Sequence, residues 1–256
     1  MNKGIIVTSF GTTYKDTRKL CIESIENRIK EEYPDCLVLR AFTSRVVISR
    51  LKERDGIEVD NPTEAMMRLV SQGIRYIYIQ PLLMIEGIEY EKLLREARDF
   101  IKNNPGVIIN IGKPLLSTEK DCERLTSGLD LSEGIEAKVF MGHGSEHKAD
   151  ISYEYLEKII KAKGYKNIFI GTVEGEKNID DIVAELKDRS IDKVELRPLM
   201  LVAGDHATND MSSEDESSWK NILAKNNIET QVELKGLGEI KSIQDMFLGH
   251  LRDIMR

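Results

Sequence analysis

The sequence predicts an α/β fold made of two similar domains, each with a four-stranded parallel sheet flanked by helices, related by an internal duplication. Three observations predict it. Eight β-rich apolar segments alternate with helix-period segments, strand-end motifs of the first half recur in the second, and 256 residues suffice for two cores of about 100–150 residues each.

Each predicted strand is a short apolar run, and each predicted helix has apolar residues at a period of about 3.6. The predicted strands are residues 4–8, 37–42, 76–83, 107–111, 137–141, 167–171, 194–202 and 230–234. The predicted helices are residues 17–31, 62–72, 90–102, 152–163, 179–189, 213–225 and 240–255. Because helices alternate with strands, the strands of each sheet should run parallel, with right-handed crossovers.

Four strand-end motifs of the first half recur in the second, which indicates an internal duplication. The clearest match sets PLLMIEGIE, residues 81–89, against PLMLVAGDH, residues 198–206. The alignment pairs Phe10 with His143, Ser44 with Glu174 and Glu89 with His206, and a weaker fourth match pairs Ile111 with Lys235. The alternative is that two doubly wound domains share apolar strands by chance. The duplication predicts one strand order for both sheets.

The repeat also predicts where the chain divides. We expect an N-terminal half at residues 1–128 and a C-terminal half at residues 129–256, with the C-terminal helix able to pack back on the first half. The boundary should fall in the polar stretch 117–134, where Thr-Ser-Gly and Ser-Glu-Gly interrupt the periodic pattern.

The composition is that of an ordinary soluble globular protein, with 41% hydrophobic and 32% charged residues. A formal net charge of −7 argues against binding to nucleic acid or to anionic membranes, because both depend on basic surfaces. The apolar run at residues 5–7 is too short for a signal peptide or a membrane span, so we expect a cytoplasmic protein. Cys21, Cys36 and Cys122 are widely spaced and are expected to be free thiols.

Four side chains suited to metal or proton chemistry follow predicted strands: His143, Glu174, His206 and Glu89. In parallel sheets, ligands bind beyond the carboxyl ends of the strands. A neutral imidazole offers a lone pair, so each histidine could be a metal ligand or a base, and Asp205 could orient the ring of His206. Taken singly, each residue has an ordinary alternative: a loop histidine, a solvated loop acid or a first-turn glutamate favoured by the helix dipole.

Their coincidence at the strand ends of a duplicated scaffold favours one shared site. Histidine with carboxylate and no thiolate suits Co2+, Ni2+, Fe2+ or Zn2+, and ligand type alone does not choose among these ions. Glycines flank His143 and would let a ligand approach the backbone closely. We interpret His147 as a supporting or surface residue and His250 as structural.

Residues 40–54 concentrate five cations within an acidic protein. Arginine can hold a carboxylate through two parallel hydrogen bonds, so this segment could bind a polyanionic ligand; a solvated helix face is the alternative. The sequence has no P-loop, no dinucleotide-binding glycine motif and no G-x-S-x-G motif. We therefore expect no nucleotide cofactor.

Several motifs together resemble those of a known family: SFGT (9–12), RAFTS (40–44), EYEK (89–92), VFMGHG (139–144), RPLMLVAGDHATNDM (197–211) and SWK (218–220). They are similar to the motifs of the anaerobic sirohydrochlorin cobaltochelatases of cobalamin biosynthesis, which are single-subunit class II chelatases. The resemblance covers nearly the whole chain, and PLMLVAGDHA is its most specific part. The chain departs from the family at residues 82–89, LLMIEGIE, where other members have a more polar stretch with His and Asn.

The resemblance implies a bilobal fold with a tetrapyrrole in the cleft and no need for a nucleotide. It implies catalytic roles for His143, His206 and Glu89 and a metal site made from His143, His206, Glu174 and Glu89. We expect the two histidines to act as a pair across the cleft, reached from opposite halves of the duplication, with one holding the ion while the other accepts a proton. The residues expected to bind the macrocycle are Ser9, Phe10, Gly11, Thr12, Ser44, Arg45 and Arg54.

The expected partners are a sirohydrochlorin-type tetrapyrrole and a divalent metal, with Co2+ as the substrate metal and with no nucleic acid and no membrane. A homo-oligomer is left open. The eight carboxylates of sirohydrochlorin would give the cations of residues 40–54 a ligand. Two alternatives stay open: insertion of Fe2+ or Ni2+ into the same macrocycle, and a non-catalytic carrier of tetrapyrrole or metal.

Overall fold

A computed structural model describes residues 3–132 and 135–256, and it contains two four-stranded parallel sheets. The strands are β1 (Lys3–Ser9), β2 (Leu37–Phe42), β3 (Tyr76–Pro81), β4 (Ile108–Ile111), β5 (Ala137–Gly142), β6 (Ile168–Thr172), β7 (Lys193–Pro198) and β8 (Glu229–Val232). The first sheet has the order β2-β1-β3-β4 and the second has the order β6-β5-β7-β8. The predicted α/β fold and the common strand order are therefore confirmed.

Helices connect the strands. They are α1 (Lys15–Thr17), α2 (Ser24–Glu32), α3 (Arg45–Asp55), α4 (Pro62–Ser71), α5 (Ile88–Asn103), α6 (Glu119–Gly128), α7 (Ile151–Ala162), α8 (Ile179–Asp188), α9 (Trp219–Lys225) and α10 (Lys241–Met255). Two segments are π-helical, Arg18–Glu23 and Ala207–Met211, and two short 3-10 turns are Lys148–Asp150 and Leu237–Glu239.

Local capping explains where the predicted helices differ from the observed ones. Helix α6 lies in the stretch that we interpreted as a boundary, and Thr118 caps it by accepting the N–H of Asp121. Helix α9 begins at Trp219 and not at residue 213, because Ser218 is the residue that accepts the N–H of Asn221. Residues 133 and 134 of the predicted boundary lie outside the described residues.

Strands β3 and β7 end earlier than predicted, at Pro81 and Pro198. A proline has no N–H with which to continue the ladder. The last bonds to the central strands come from the next residues, since Leu82 N–H donates to Thr8 O and Leu199 N–H donates to Met141 O, both at 2.7 Å. The chain then leaves each sheet at the same point of the repeat.

The register of the two sheets supports the duplication residue by residue. Equivalent opposed pairs are Thr8–Pro81 with Met141–Pro198, and Ser9–Phe42 with Gly142–Thr172. Phe10 and His143 therefore follow equivalent strand ends. The fourth sequence match was wrong by three residues: Ile111 opposes Ile79 as Val232 opposes Leu196, so Ile111 corresponds to Val232 and not to Lys235.

The chain forms two compact units: unit 1 is Met1–Leu115 with Lys241–Arg256, and unit 2 is Leu116–Ile240. These units differ from the sequence-based halves 1–128 and 129–256. Helix α6 contacts α7 in unit 2, whereas α10 contacts α2 and β3 in unit 1. The helix that follows each set of four strands thus belongs to the other unit, an exchange that we considered for the C-terminal helix α10 but not for α6.

Each unit has its own apolar core. The core of unit 2 includes Val139, Met141, Leu196 and Trp219, and that of unit 1 includes Ile6, Leu69, Ile77, Ile79 and Leu93. Burial of these side chains is the main force that fixes the helices on the sheets. The sheets form a rigid scaffold, and the polar loops at their strand ends are therefore the expected positions of functional residues.

The three cysteines are free thiols, as predicted. Burial raises the pKa of Cys122 to about 11, so this thiol stays protonated at neutral pH. In the two described ranges, no helix combines the length and the apolar character that a membrane span requires.

Candidate metal site

Strand β5 places His143 at the carboxyl edge of the second sheet, directly after Gly142. The flanking glycines are required by close packing: a Cβ on Gly142 would lie 2.7 Å from the Tyr153 ring, and one on Gly144 would lie 2.5 Å from the backbone nitrogen of Gly175. Gly144 also has a φ of +78°, which favours glycine. We predicted that a ligand approaches these glycines closely, whereas in the structure it is the protein itself that does so.

Strand β6 places Glu174 beside this histidine. The strand ends at Thr172, and the N–H of Glu174 donates to His143 O at 2.8 Å. The carboxylate oxygen Oε2 of Glu174 lies 3.6 Å from Nδ1 of His143. The backbone bond between the two loops therefore brings an acid next to an imidazole at adjacent strand ends.

His206 follows β7 and directly precedes the π-helical segment Ala207–Met211. Its Nδ1 lies 2.7 Å from Oδ2 of Asp210, four residues later. We had proposed Asp205 for this contact, but a carboxylate of Asp205 accepts a hydrogen bond from Asn209 at 3.0 Å. The spacing of four residues between His206 and Asp210 was the signal that would have identified the partner, because such residues share a face of a helical turn.

The structure brings His143, Glu174 and His206 together. One ligand atom from each lies within 4.8 Å of the others. The two imidazole rings are 4.5 Å apart between centroids and nearly perpendicular, at 83°. Both histidines belong to unit 2, so our expectation that they pair across a cleft is wrong: they are neighbours at one sheet edge.

Hydrogen bonding fixes which ring nitrogen is free on each histidine. Nδ1 of His143 lies 2.9 Å from Gly144 O, and Nδ1 of His206 lies near the carboxylate of Asp210. A carbonyl or carboxylate oxygen only accepts, so each Nδ1 carries the proton and donates. In its neutral form, each ring then has its free lone pair on Nε2, as metal-binding histidines with an oxygen partner commonly do.

The three side chains are accessible to solvent: 42% of His143, 56% of Glu174 and 32% of His206 is exposed. Two imidazole nitrogens and one carboxylate form a donor set that suits first-row divalent ions. Three protein ligands also leave coordination positions open, as catalytic metal sites do and closed structural sites do not. The group can therefore hold an ion and still let another molecule bind it.

Glu89 lies in unit 1, in the first turn of α5. Its Oε2 lies 3.8 Å from Nζ of Lys92, and this oxygen is buried without a hydrogen-bond partner among the described residues. An unpartnered buried carboxylate oxygen is a candidate proton acceptor. Roles for Glu89 as a catalytic residue or as a metal ligand stay predictions.

The predicted macrocycle-binding residues of the first loop follow β1. Ser9 is buried, whereas the ring of Phe10 is 50% exposed. Gly11 has a φ of +93°, and a Cβ there would lie 2.6 Å from the Phe42 ring. Thr12 O accepts a hydrogen bond from the buried Arg18 at 3.2 Å. Contacts with Phe42 and Arg18 thus hold the loop, while the ring of Phe10 is exposed to solvent.

The second predicted binding segment is the start of α3. Ser44 caps this helix by accepting the N–H of Val47 at 3.3 Å. Arg45 and Arg54 are exposed, but Arg54 already pairs with Asp55 at 2.7 Å. Among the cations of residues 40–54, Arg40 is bound by both carboxylate oxygens of Glu26. The exposed arginines of α3 fit either interpretation, and binding of a polyanion stays a prediction.

The two remaining histidines fit their interpretations. His250 is buried on α10, with Nδ1 3.1 Å from Lys113 O. His147 precedes the 3-10 turn, and its Nδ1 accepts the N–H of Ala149 at 3.2 Å. Neither histidine belongs to the three-residue group.

One protein family matches nearly the whole of this chain. The family model for cobalt chelatase (CbiK) matches residues 3–256. The sirohydrochlorin cobaltochelatase of Salmonella typhimurium is 38% identical over 259 residues, which cover 100% of this chain and 97% of the relative. The sirohydrochlorin cobaltochelatase CbiKC of Nitratidesulfovibrio vulgaris is 31% identical over 254 residues, which cover 97% of this chain and 89% of the relative.

Solved structures show the same fold at low identity. SirB from Bacillus subtilis with Fe3+ has a TM-score of 0.69 and 15% identity, covering 99% of this chain and 96% of that one. CbiX, described as the terminal enzyme for biosynthesis of siroheme in denitrifying bacteria, has a TM-score of 0.54 and 15% identity, covering 98% of each chain.

The structural matches support the two-sheet architecture alone. The sequence matches go further, because they extend over the full length and include the segments that carry the three candidate ligands. A family match along residues 3–256, with relatives at 38% and 31% identity, shows that this chain belongs to the cobalt chelatase (CbiK) family.

Proposed function

We propose that this protein inserts Co2+ into sirohydrochlorin, or into its reduced precursor, without ATP, as a step of anaerobic cobalamin biosynthesis. The observation that carries the proposal is the group of His143, Glu174 and His206 in a chain of the cobalt chelatase family. Two full-length relatives named sirohydrochlorin cobaltochelatase support the choice of macrocycle and metal.

The chemistry that the chain must perform is an exchange of one ion for two protons. The free macrocycle carries two pyrrole N–H groups, and insertion of Co2+ releases both protons. The ion must also lose bound water. Imidazole nitrogens and the carboxylate of Glu174 can replace that water, and the open coordination positions can accept macrocycle nitrogens one after another.

The released protons need acceptors. We assign this role to the imidazoles of His143 and His206, whose Nε2 lone pairs become free as the ion leaves, and to Glu89, whose buried Oε2 lacks a hydrogen-bond partner among the described residues. Glu89 also stays a proposed fourth metal ligand.

The macrocycle is flat, apolar at its centre and acidic at its rim. The exposed ring of Phe10 offers an apolar surface, and the exposed guanidinium groups of Arg45 and Arg54 offer partners for carboxylates. We propose that the binding set is Ser9, Phe10, Gly11, Thr12, Ser44, Arg45 and Arg54.

The test is an anaerobic absorbance assay of sirohydrochlorin with Co2+, Fe2+ and Ni2+ in separate reactions, without nucleotide. We expect Co2+ insertion over many turnovers at catalytic amounts of protein, because the product leaves the three ligands free. Insertion that saturates at one equivalent would instead identify a carrier. A higher kcat/KM for Fe2+ or Ni2+ than for Co2+ would contradict the proposed metal.

A further inference from the structure

Two loops of unit 2 carry the first two ligands, and they are joined along their backbones. The loop after β5 carries His143 and the loop after β6 carries Glu174. Val173 N–H donates to Gly142 O at 3.1 Å, and Glu174 N–H donates to His143 O at 2.8 Å. These bonds align the starts of the loops, while residues further along each loop depend on other contacts.

Asp150 makes such contacts with both loops. Its Oδ1 accepts the N–H of Ser145 at 3.0 Å, and its Oδ2 accepts the N–H of Glu176 at 3.0 Å. One carboxylate thus bridges the loops, with one oxygen for each. Asp150 ends the 3-10 turn and directly precedes α7, so a helix fixes its position. Hydrogen bonds to an ionised acceptor are stronger than bonds between neutral groups.

The loops are packed so that the bridge has little freedom. A Cβ on Gly175 would lie 2.5 Å from Oδ1 of Asp150 and would also collide with Oγ1 of Thr172. A Cβ on Gly144 would lie 2.5 Å from the nitrogen of Gly175. Two glycines therefore let the loops and the carboxylate approach each other, and no side chain separates them at these points.

We propose that Asp150 is a positioning residue of the metal site, which holds the loops of His143 and Glu174 at the separation that an ion requires. A ligand pair that is held in place before binding loses less conformational freedom when the ion arrives. Residues that support metal ligands typically change metal affinity about 10- to 100-fold. The proposal rests on the proposed function only in taking Co2+ as the ion.

Asp150→Ala removes both acceptor oxygens. We expect the Kd of the full chain for Co2+ to rise about 10-fold or more, measured by titrating the cobalt absorption bands without macrocycle. In the metal-free variant, the amides of Ser145 and Glu176 should exchange hydrogen faster than in the unchanged protein. Asp150→Asn keeps one acceptor oxygen, so its Kd for Co2+ should lie between those of the original protein and of Asp150→Ala.

Asp130→Ala is the matched control. Asp130 accepts the N–H of Ser132 at 3.1 Å in the same unit, but before β5 and away from its carboxyl end. This variant should bind Co2+ as the unchanged protein does. If it weakens Co2+ binding as much as Asp150→Ala does, the effect is general to unit 2 and the proposal is overturned.

Three further results would overturn the proposal. Asp150→Ala could bind Co2+ with the affinity of the original protein, or the amides of Ser145 and Glu176 in that variant could exchange at the original rates. The third result is that the original protein binds no Co2+. If Asp150→Ala fails to fold, Asp150→Asn decides, and unchanged Co2+ affinity in that variant contradicts the proposal. An unchanged chain that binds Co2+ without metallating sirohydrochlorin contradicts the proposed function alone, since the titration still tests Asp150.

Discussion

The two units share a strand order and a register but differ in the side chains at their carboxyl edges. The edge of unit 2 carries His143, Glu174 and His206, which form the three-residue group. The sequence alignment places Phe10, Ser44 and Glu89 at the equivalent positions of unit 1. In unit 1, the ring of Phe10 is half exposed, Ser44 caps helix α3, and Glu89 lies in the first turn of helix α5. The comparison indicates that the repeated sheet supplies equivalent positions, and that the side chains placed there give unit 2 a group suited to hold a metal ion.

The sheet faces differ as well. In unit 1, Tyr78 and Gln80 are buried on β3, and helix α10 contacts that strand. The register makes Glu195 and Arg197 of β7 their equivalents in unit 2. Glu195 accepts from Lys138 at 2.8 Å and also pairs with Arg197. One face of the repeated sheet therefore holds neutral side chains in one unit and a network of ions in the other.

The largest effect should come from the histidines that distinguish the two edges. His143→Ala and His206→Ala should each lower kcat for Co2+ insertion at least about 100-fold. Mutation of a residue that only supports a metal ligand already lowers metal affinity or activity about 10- to 100-fold, and these residues are proposed ligands themselves. The absorbance assay with sirohydrochlorin measures the loss. Both variants should still bind the macrocycle and unfold at nearly the same temperature.

His147→Ala is the control for these variants. It removes an imidazole from the same loop, but one whose Nδ1 accepts a backbone N–H and which does not belong to the three-residue group. We expect a change of no more than about 3-fold in kcat, since the ring of His147 accepts a hydrogen bond from its own turn and lies outside the three-residue group. Near-normal turnover in both His143→Ala and His206→Ala would show that the group is not the site of insertion.

Substitutions of Glu174 and Glu89 should change different kinetic constants. Glu174→Gln removes a proposed ligand, so the KM for Co2+ should rise about 10-fold or more. Glu89→Gln removes a proposed proton acceptor, so kcat should fall about 10- to 100-fold with little change in the KM for Co2+. Steady-state kinetics at varied Co2+ separates the two effects. A Glu89→Gln variant that raises only the KM for Co2+ would make Glu89 a ligand instead.

The sequence predicted the sheets because nearly every strand is a short apolar run and the two halves repeat each other. It also predicted that the three candidate ligands of unit 2 lie together, since parallel strands bring their carboxyl ends to one edge. It did not reveal Asp150 or Asp210, whose partners depend on loop conformation and on a π-helical turn. Nor did it place α6 in unit 2, because repeat order does not state which apolar surface a terminal helix covers.

A smaller effect is expected from the exposed arginines of α3. Replacing Arg45 and Arg54 together with Gln should raise the KM for sirohydrochlorin about 2- to 10-fold, because each exposed ion pair contributes roughly 0.2–1 kcal/mol. The kcat should fall less, since these groups would bind ground and transition states alike. Arg98→Gln with Arg124→Gln removes the same charge from other exposed positions and should leave KM unchanged. An unchanged KM in the α3 variant would show that Arg45 and Arg54 do not bind the substrate and only form a solvated helix face.

The smallest effect tests the ion network that distinguishes the sheet face of unit 2. The hydroxyl and N–H of Ser132, and then Lys138 and Arg197, lower the pKa of Asp130 to about 2. Since an unfolded aspartate has a pKa of about 3.9, this group stabilises the fold above about pH 4 and loses that contribution as pH falls through 2. The Asp130 side chain is 56% exposed, so the contribution should be about 1 kcal/mol or less.

Asp130→Asn should therefore lower the unfolding temperature at pH 6, and the gap to the unchanged protein should close as pH falls to 2. Asp215→Asn is the matched control, because Asp215 has a similar turn with Ser217, whose hydroxyl and N–H lower its pKa. The ion pairs of Asp130 with Arg197, at 3.2 Å, and with Lys138, at 3.8 Å, distinguish it from Asp215. If both variants lose the same stability at pH 6, the serine turn explains the whole effect and the network adds nothing at Asp130. A larger loss for Asp130→Asn would show that ions stabilise the face of unit 2 that neutral side chains occupy in unit 1.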